Sequence, residues 1–179
     1  CRCGDNISKT VDVTKVVDRA RSLDLVILAK EFDFMCSDPG QNMIREEILE
    51  QGLNRVVVAS CSPLMHEITF QEVCESAGMN PFYLQMTNIR EQCAWVIDDK
   101  DEATEKAESM VAGAVRRVRY NHPLQSRPIT MEPSVLVVGA GIAGIEAALK
   151  VADAGKQVYL VEREPSIGGH LAQLYKTFP

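Results

Sequence analysis

The sequence contains no CxxC pair, although it holds six cysteines in 179 residues. That absence argues against ordinary zinc knuckles, whose ligands come in close pairs, and it excludes the usual ferredoxin run. Basic charge is in short supply. There are 19 Lys and Arg against 25 Asp and Glu, a formal net charge of −6, which argues against nonspecific nucleic-acid binding, since that needs a basic field to neutralise phosphates. Long apolar runs are missing too, and nothing approaches the ~20 residues needed to span a membrane. No secretory leader, sequence repeat or low-complexity tract is present. Nor does the chain begin with Met. It opens on Cys-Arg-Cys, which reads as the start of a piece cut from a longer polypeptide.

What is present reads as alternating strands and helices. Residues 25–29 (LVILA) form a short apolar strand expectation, and residues 45–50 belong to a helical stretch ending near Gly52. Residues 56–60 (VVVAS) are β-branched and apolar, as a buried strand requires. Pro63 suits the first turn of a helix running towards Gly78. Residues 82–86 (FYLQM) suggest a third strand, and Asn88 a cap for a helix over 89–96. Residues 101–120 form a longer helix whose apolar positions Ala107, Met110, Val111, Ala114 and Val118 recur at helical spacing. This alternation indicates α/β architecture with a parallel sheet. Residues 121–133 hold Pro123, Pro128 and Pro133 and read as a linker. The expected organisation is therefore a small α/β domain over 1–120, the linker over 121–133, and the start of a second domain over 134–179.

That second domain opens with a strand over 134–138 (SVLVV), then Gly139-Ala140-Gly141-Ile142-Ala143-Gly144, then an apolar helix over 145–154 that Gly155 ends. A second strand over 157–161 (QVYLV) leads into Glu162. In such a βαβ unit Gly139 permits the tight turn, Gly141 lets backbone approach a pyrophosphate, and Gly144 lets helix and strand pack closely. The helix N-terminus offers free N–H groups to the phosphates. Glu162 lies about 20 residues on, where an acid accepts hydrogen bonds from a ribose diol. An acid rather than Arg there disfavours NADP. The sequence that follows, Arg163-Glu164-Pro165-Ser166-Ile167-Gly168-Gly169-His170, resembles the FAD site of flavoprotein reductases with two dinucleotide domains. That favours FAD over NAD and adds Gly169 to the candidate residues. The segment reads as the first βαβ part of a Rossmann-like FAD domain, whose full fold needs further strands.

The cysteines have two readings. Cys61 directly follows the 56–60 strand, Cys36 follows the 25–29 strand by a short loop, and Cys93 follows the 82–86 strand. If a further strand precedes Cys1, Cys3 sits at the same sheet edge, where sites assemble in open parallel sheets. Four thiolates there suit one [4Fe–4S] cluster. Alternatively they are separate buried thiols, since Cys is among the most buried residue types. Disulfides are disfavoured, because the sequence has the character of a cytoplasmic α/β enzyme. Cys74, inside a helix, reads as a structural or surface thiol. His66, His122 and His170 read as structural hydrogen-bonding residues, Trp95 as core or interface, and Arg116, Arg117 and Arg119 as a solvated face able to meet an acidic redox partner.

Several stretches together carry a resemblance: CRCG, KEFDFMCSDPGQ, RVVVASCSPLMHEITF, NPFYLQMTNIREQCAWV, the GAGIAG turn and VEREPSIGGHLAQLYKTFP. They resemble the A-type iron–sulfur subunits of CoB–CoM heterodisulfide reductases, a family of methanogenic archaea with related forms in anaerobic bacteria. The resemblance covers nearly the whole chain. It implies an N-terminal [4Fe–4S] domain ahead of a thioredoxin-reductase-like FAD domain, with FAD bifurcating electrons between a ferredoxin path and heterodisulfide reduction. It implies Cys3, Cys36, Cys61 and Cys93 as cluster ligands, with Cys1 as a rival for the first position. It implies FAD binding by Gly139, Gly141, Gly144, Glu162 and Gly169, and no covalent catalyst. Implied partners are the other reductase subunits and ferredoxin or a hydrogenase or formate dehydrogenase donor, in the cytoplasm. Other readings are a docking module of a redox complex, and an NAD-dependent oxidoreductase with zinc in its N-terminal domain.

Overall fold

The computed structural model describes residues 1–125 and 127–176, so Ser126 of the expected linker and residues 177–179 of the expected second domain lie outside the described residues. The chain divides into two compact units, 1–125 and 126–179.

The first unit is built on two parallel strands, β1 (Val56–Ser60) and β2 (Leu84–Asn88), in register from Val56 opposite Leu84 to Ser60 opposite Asn88. Helices cover both faces, which is why these strands read as apolar runs. On one side α2 (Val13–Arg21) packs against α5 (Lys100–Val118), and on the other α3 (Asp38–Gln51) packs against α4 (Pro63–Ser76). A short helix, α1 (Asp5–Ser8), precedes them. Each side has its own core. Ile7, Val16, Ile89, Ala103, Ala107 and Val111 belong to the α2/α5 core. Met35, Ile48, Val58, Phe70, Leu84 and Met86 belong to the α3/α4 core.

Local chemistry explains the helix ends. The Asp99 carboxylate accepts from the Asp101 and Glu102 amides at 3.0 and 2.9 Å and opens α5, satisfying two of its free N–H groups. Asp12 does the same for α2 through the Lys15 amide. Gly52, at φ 61°, ends α3 in the left-handed conformation that glycine adopts without steric cost. Of the expected apolar stripe on α5, Ala107, Val111, Ala114 and Val118 are buried, and Met110 is half-buried.

Three sequence expectations need correction. Residues 25–29 are not a strand: Leu25 has a φ of 68°, and residues 26–30 have no ladder partner. They have strand composition but lie across a cavity from β1, and a strand without a neighbour has no ladder to join. The strand expected over 82–86 begins two residues later, because Pro81–Tyr83 form a 3₁₀ turn opened by the Asn80 side chain. The helix expected over 89–96 is a π-helical turn, Arg90–Ala94. Asn88 still caps it, accepting from the Arg90 and Glu91 amides at 3.2 and 3.0 Å. Helix α2 was not anticipated, although Val13, Val16, Val17 and Ala20 follow helical spacing.

The start of the expected linker is tied to the first unit. Asn121 donates to the Phe82 and Leu84 carbonyls at 3.1 Å each, and Asn80 donates to the Leu124 carbonyl at 3.0 Å.

The second unit is a parallel βαβ arrangement of β3 (Ser134–Val138), α6 (Ile142–Asp153) and β4 (Gln157–Val161). The strand bounds agree with the sequence expectation. The helix starts three residues earlier, directly from the glycine turn.

Candidate functional site

Two of the thiols, Cys61 and Cys3, lie by the C-terminal end of β1. Cys61 is buried there, directly before Ser62, whose hydroxyl accepts from the Leu64 amide at the start of α4. The π-helical turn after β2 brings Arg90 to the same place. One Arg90 amine donates to Cys3 Sγ at 3.4 Å and the other to Glu91 at 2.8 Å. The guanidinium also lies 5.0 Å over the Trp95 ring. Burial pushes the Cys61 thiol pKa up, and the Arg90 charge works against that rise. The hydrogen bond to Glu91 raises the Arg90 pKa. Burial opposes ionisation of Glu91, yet the hydrogen bond from Arg90 leaves its carboxyl below the usual range. Arg90 Nε, Glu91 Oε2 and Ser60 Oγ are buried without partners among the described residues, which few buried polar atoms in folded proteins are.

The other cysteines sit differently. Cys1 Sγ accepts from the Met35 amide at 3.4 Å, and its ammonium donates to the Ala59 carbonyl at 2.8 Å. Cys36 is half-buried in the loop before α3, and it packs against the same core as Cys1. Cys93 is fully buried in the α2/α5 core, its thiol donating to the Ala103 carbonyl at 3.1 Å. Burial pushes its pKa up as well. Cys74 is fully buried in α4 with its thiol pushed up to about 12 by burial, which makes it an inert structural thiol. Among the described residues, no three His, Cys, Asp or Glu side chains are grouped so as to hold a metal ion. Arg90 thus holds Cys3 by a hydrogen bond and acts on Cys61 through its charge, and the structure does not gather all four expected ligands.

Arg90 and Glu91 were missed by sequence reasoning. Their only trace is a neighbouring cation and anion three and two positions before Cys93. His66 stands edge-on to Phe70 with ring centroids 6.5 Å apart, in line with a packing role. Trp95 is 58% exposed, which decides its two readings against the core.

The second site is the glycine turn between β3 and α6. Gly139 has a φ of 98°, and a Cβ on Gly144 would lie 1.8 Å from the Gly139 carbonyl oxygen. Only glycine fits there. Gly141 is the N-cap of α6 without a side-chain cap, and a Cβ on it would meet nothing within 4 Å. The helix N-terminus is thereby left open to an approaching anion. The Gly168-Gly169 turn folds onto this loop: the Gly168 amide donates to the Ala140 carbonyl at 2.7 Å, and a Cβ on Gly169 would stand 3.1 Å from Gly141 Cα. Glu162, at the end of β4, accepts from the Ala140, Arg163 and Glu164 amides at 2.7, 2.7 and 2.9 Å. These N–H groups, that of Glu164 foremost, hold its carboxyl below the usual range.

Comparison with known proteins covers both units. A family described as FAD dependent oxidoreductase matches residues 134–178. The whole chain is 51% identical to the A-type iron-sulfur subunit of the CoB–CoM heterodisulfide reductase of Methanocaldococcus jannaschii, covering 27% of that protein. It is 50% identical to a protein of Archaeoglobus profundus named as like the A-type heterodisulfide reductase subunit, covering 26% of it. It is 48% identical to the A-type subunit of the H(2):CoB-CoM heterodisulfide,ferredoxin reductase of Methanothermobacter thermautotrophicus, covering 27%. The chain is thus similar over its entire length to these A-type subunits, and it spans about a quarter of their length.

Proposed function

We propose, from a chain half identical along its length to A-type heterodisulfide reductase subunits, that it forms the cofactor-bearing start of such an oxidoreductase and passes electrons between an FAD and an iron–sulfur cluster. The observation that carries this reading is the glycine turn, closed on itself by Gly144 and open at Gly141, inside a segment matching FAD dependent oxidoreductases.

The turn fits a dinucleotide. Gly139, Gly141 and Gly144 would hold the pyrophosphate at the α6 N-terminus, Glu162 the ribose, and Gly169 would close the loop above Gly141. FAD, when bound, supplies exchange of electrons in pairs or singly. The chain's own part is to present N–H groups to the phosphates. Among the described residues, Glu162 Oε2 accepts only from the Ala140 amide, which leaves it acceptor capacity for a ribose hydroxyl.

For the [4Fe–4S] cluster, Cys3, Cys36, Cys61 and Cys93 are the right donors in kind, and the Methanocaldococcus relative is named an iron-sulfur subunit. Their arrangement here does not yet fit: Cys93 is engaged with Ala103, and no three ligands are grouped among the described residues. Arg90 contributes the cation beside Cys3 and Cys61.

Electron bifurcation, the company of other reductase subunits, and exchange with ferredoxin or with a hydrogenase or formate dehydrogenase donor complete the proposal. Exchange with ferredoxin and electron supply from H(2) or formate are supported by relatives whose names include those terms; bifurcation rests on the family resemblance alone. No helix among the described residues is long and apolar enough to cross a membrane. The test is anaerobic purification of the full-length protein with iron, followed by flavin analysis and EPR of the reduced sample with and without Cys61→Ser. Bound FAD and an EPR signal lost in Cys61→Ser support the proposal; absence of FAD, or a spectrum unchanged by Cys61→Ser, overturns the corresponding half.

A further inference from the structure

We infer that the cavity beside β1 is the seat of a central β-strand formed by the residues directly preceding Cys1 in the full-length protein. The cavity measures about 700 Å³. One edge is β1 and the other is the segment 26–30, the stretch with strand composition but no ladder. Its floor and roof come from the two helical layers, Val16, Ala20, Val111 and Val115 on one side and Met43 and Ile44 on the other. A slot in the plane of the sheet, apolar above and below, has the shape of a strand buried on both faces.

Backbone groups on both walls already point to the register. Ser60 pairs with Asn88, and its carbonyl accepts from Ile89, the next residue along. Alternate residues therefore address β2, and Val57 and Ala59 address the slot. The Ala59 carbonyl accepts from Cys1 N. By the same parallel rule the residue before Cys1 stands opposite Ala59, and the third residue before it opposite Val57. On the opposite wall the Arg2 amide donates to the Phe32 carbonyl at 2.9 Å, which places Cys1 opposite Phe32 and the preceding residues opposite 31, 30 and 29. Cys1 and Arg2 thus donate to opposite sides, as successive strand residues do.

What calls for the strand is the slot itself, not the residue at which the sequence starts.

Side-chain alternation then sets the composition. Ala59 packs against the α2/α5 core and Val58 belongs to the α3/α4 core, so neighbours on the new strand face these two layers in turn. About five consecutive apolar residues, roughly 16 Å of strand, are required.

The completed sheet has the order 25–31, new strand, β1, β2. Helix α2 leads from the new strand to one side, and α3 leads back to the other, with α2 and α5 on one face and α3 and α4 on the opposite face. This is a doubly wound arrangement whose order reverses between the new strand and β1, the place where ligands bind in such folds. Cys1 and Cys3 leave the end of the new strand, and Cys61 leaves the end of β1. The inference stands whether or not a cofactor occupies that crevice.

Residue-resolved hydrogen exchange of the full-length protein tests it. With the strand in place, the Val57 and Ala59 amides exchange within about tenfold of the Val58 amide. Proline at the second position before Cys1 removes the N–H that meets the Val57 carbonyl, and it should speed exchange at Val57 and Ala59 by roughly a hundredfold or more. Val57 and Ala59 exchanging about a hundredfold faster than Val58 in the unsubstituted protein would overturn the inference. So would protection unaffected by the proline, which would assign the slot to an apolar ligand or a second copy.

Discussion

The two units differ in what makes their sites. In the βαβ unit the site is backbone, and its geometry is set within a few residues by sterics: a Cβ at Gly144 would collide with the Gly139 carbonyl oxygen at 1.8 Å. In the α/β unit the site is made of side chains from positions up to 87 residues apart, as between Cys3 and Arg90. The first kind of site survives in almost any context that supplies a strand and a helix. The second exists only when the sheet, both helical layers and the π-helical turn are all in place.

The sharpest way to break the comparison is Gly144→Ala. The added Cβ has backbone, not a flexible side chain, in its way, so α6 must separate from β3. FAD affinity should fall by roughly a hundredfold or more, as expected when close backbone approach is lost. Thermal unfolding of the α/β unit should be unchanged. Flavin fluorescence titration and calorimetry of the full-length protein check both parts.

Phe70→Ala attacks the other unit. Phe70 is 1% exposed in the α3/α4 core, and its truncation should cost about 3–5 kcal/mol. Denaturant unfolding followed by Trp95 fluorescence measures it, and flavin binding by the βαβ unit should persist.

Arg90→Leu removes the cation shared by Cys3, Cys61 and Glu91 and leaves a half-buried carboxylate unpaired. A loss of about 2–4 kcal/mol is expected. The Cys61 thiol pKa should rise further, and alkylation of Cys61 at mildly alkaline pH should slow in the cluster-free protein. Arg90→Lys should restore the alkylation rate in part. A purely structural Arg90 would leave that rate unmoved once folding is accounted for.

Glu91 gives a pH signature to the same unit. Its folded pKa is depressed, so it contributes stability that is present above its unfolded value of about 4.3 and lost as pH falls through the folded value. Stability of the α/β unit should therefore decline below about pH 4.3, and Glu91→Gln should flatten that decline. The smallest expected effect is Asp99→Ala, which unties two amides at the start of α5 and should cost about 1 kcal/mol, measured by calorimetry.

The same contrast explains what was legible in the sequence. Strands β3 and β4, Gly139, Gly144 and the Gly168-Gly169 turn could be read directly, because a left-handed φ or a close backbone approach demands glycine there, while Gly141 and Glu162 were legible only through their spacing from these positions. Strand β1 and helices α4 and α5 were legible from composition and spacing. Residues 25–29 misled because β-branched and apolar content says that a segment suits a sheet, not that a neighbour is there to pair with it. The π-helical turn at Arg90–Ala94 was hidden for a similar reason, since the register of hydrogen bonds past Asn88 is decided by the packing of Ile89 and Cys93. The link from Arg90 to Cys3 and Cys61 has no local signature at all, being a product of topology.

The most direct test of the account is the cofactor content of the full-length protein, purified without oxygen and denatured to release what it holds. The account predicts about one FAD for the glycine turn per polypeptide, as a dinucleotide site of this kind holds one ligand, and its loss in Gly144→Ala. Release of no flavin, release of NAD instead, or FAD retained in full by Gly144→Ala would contradict it.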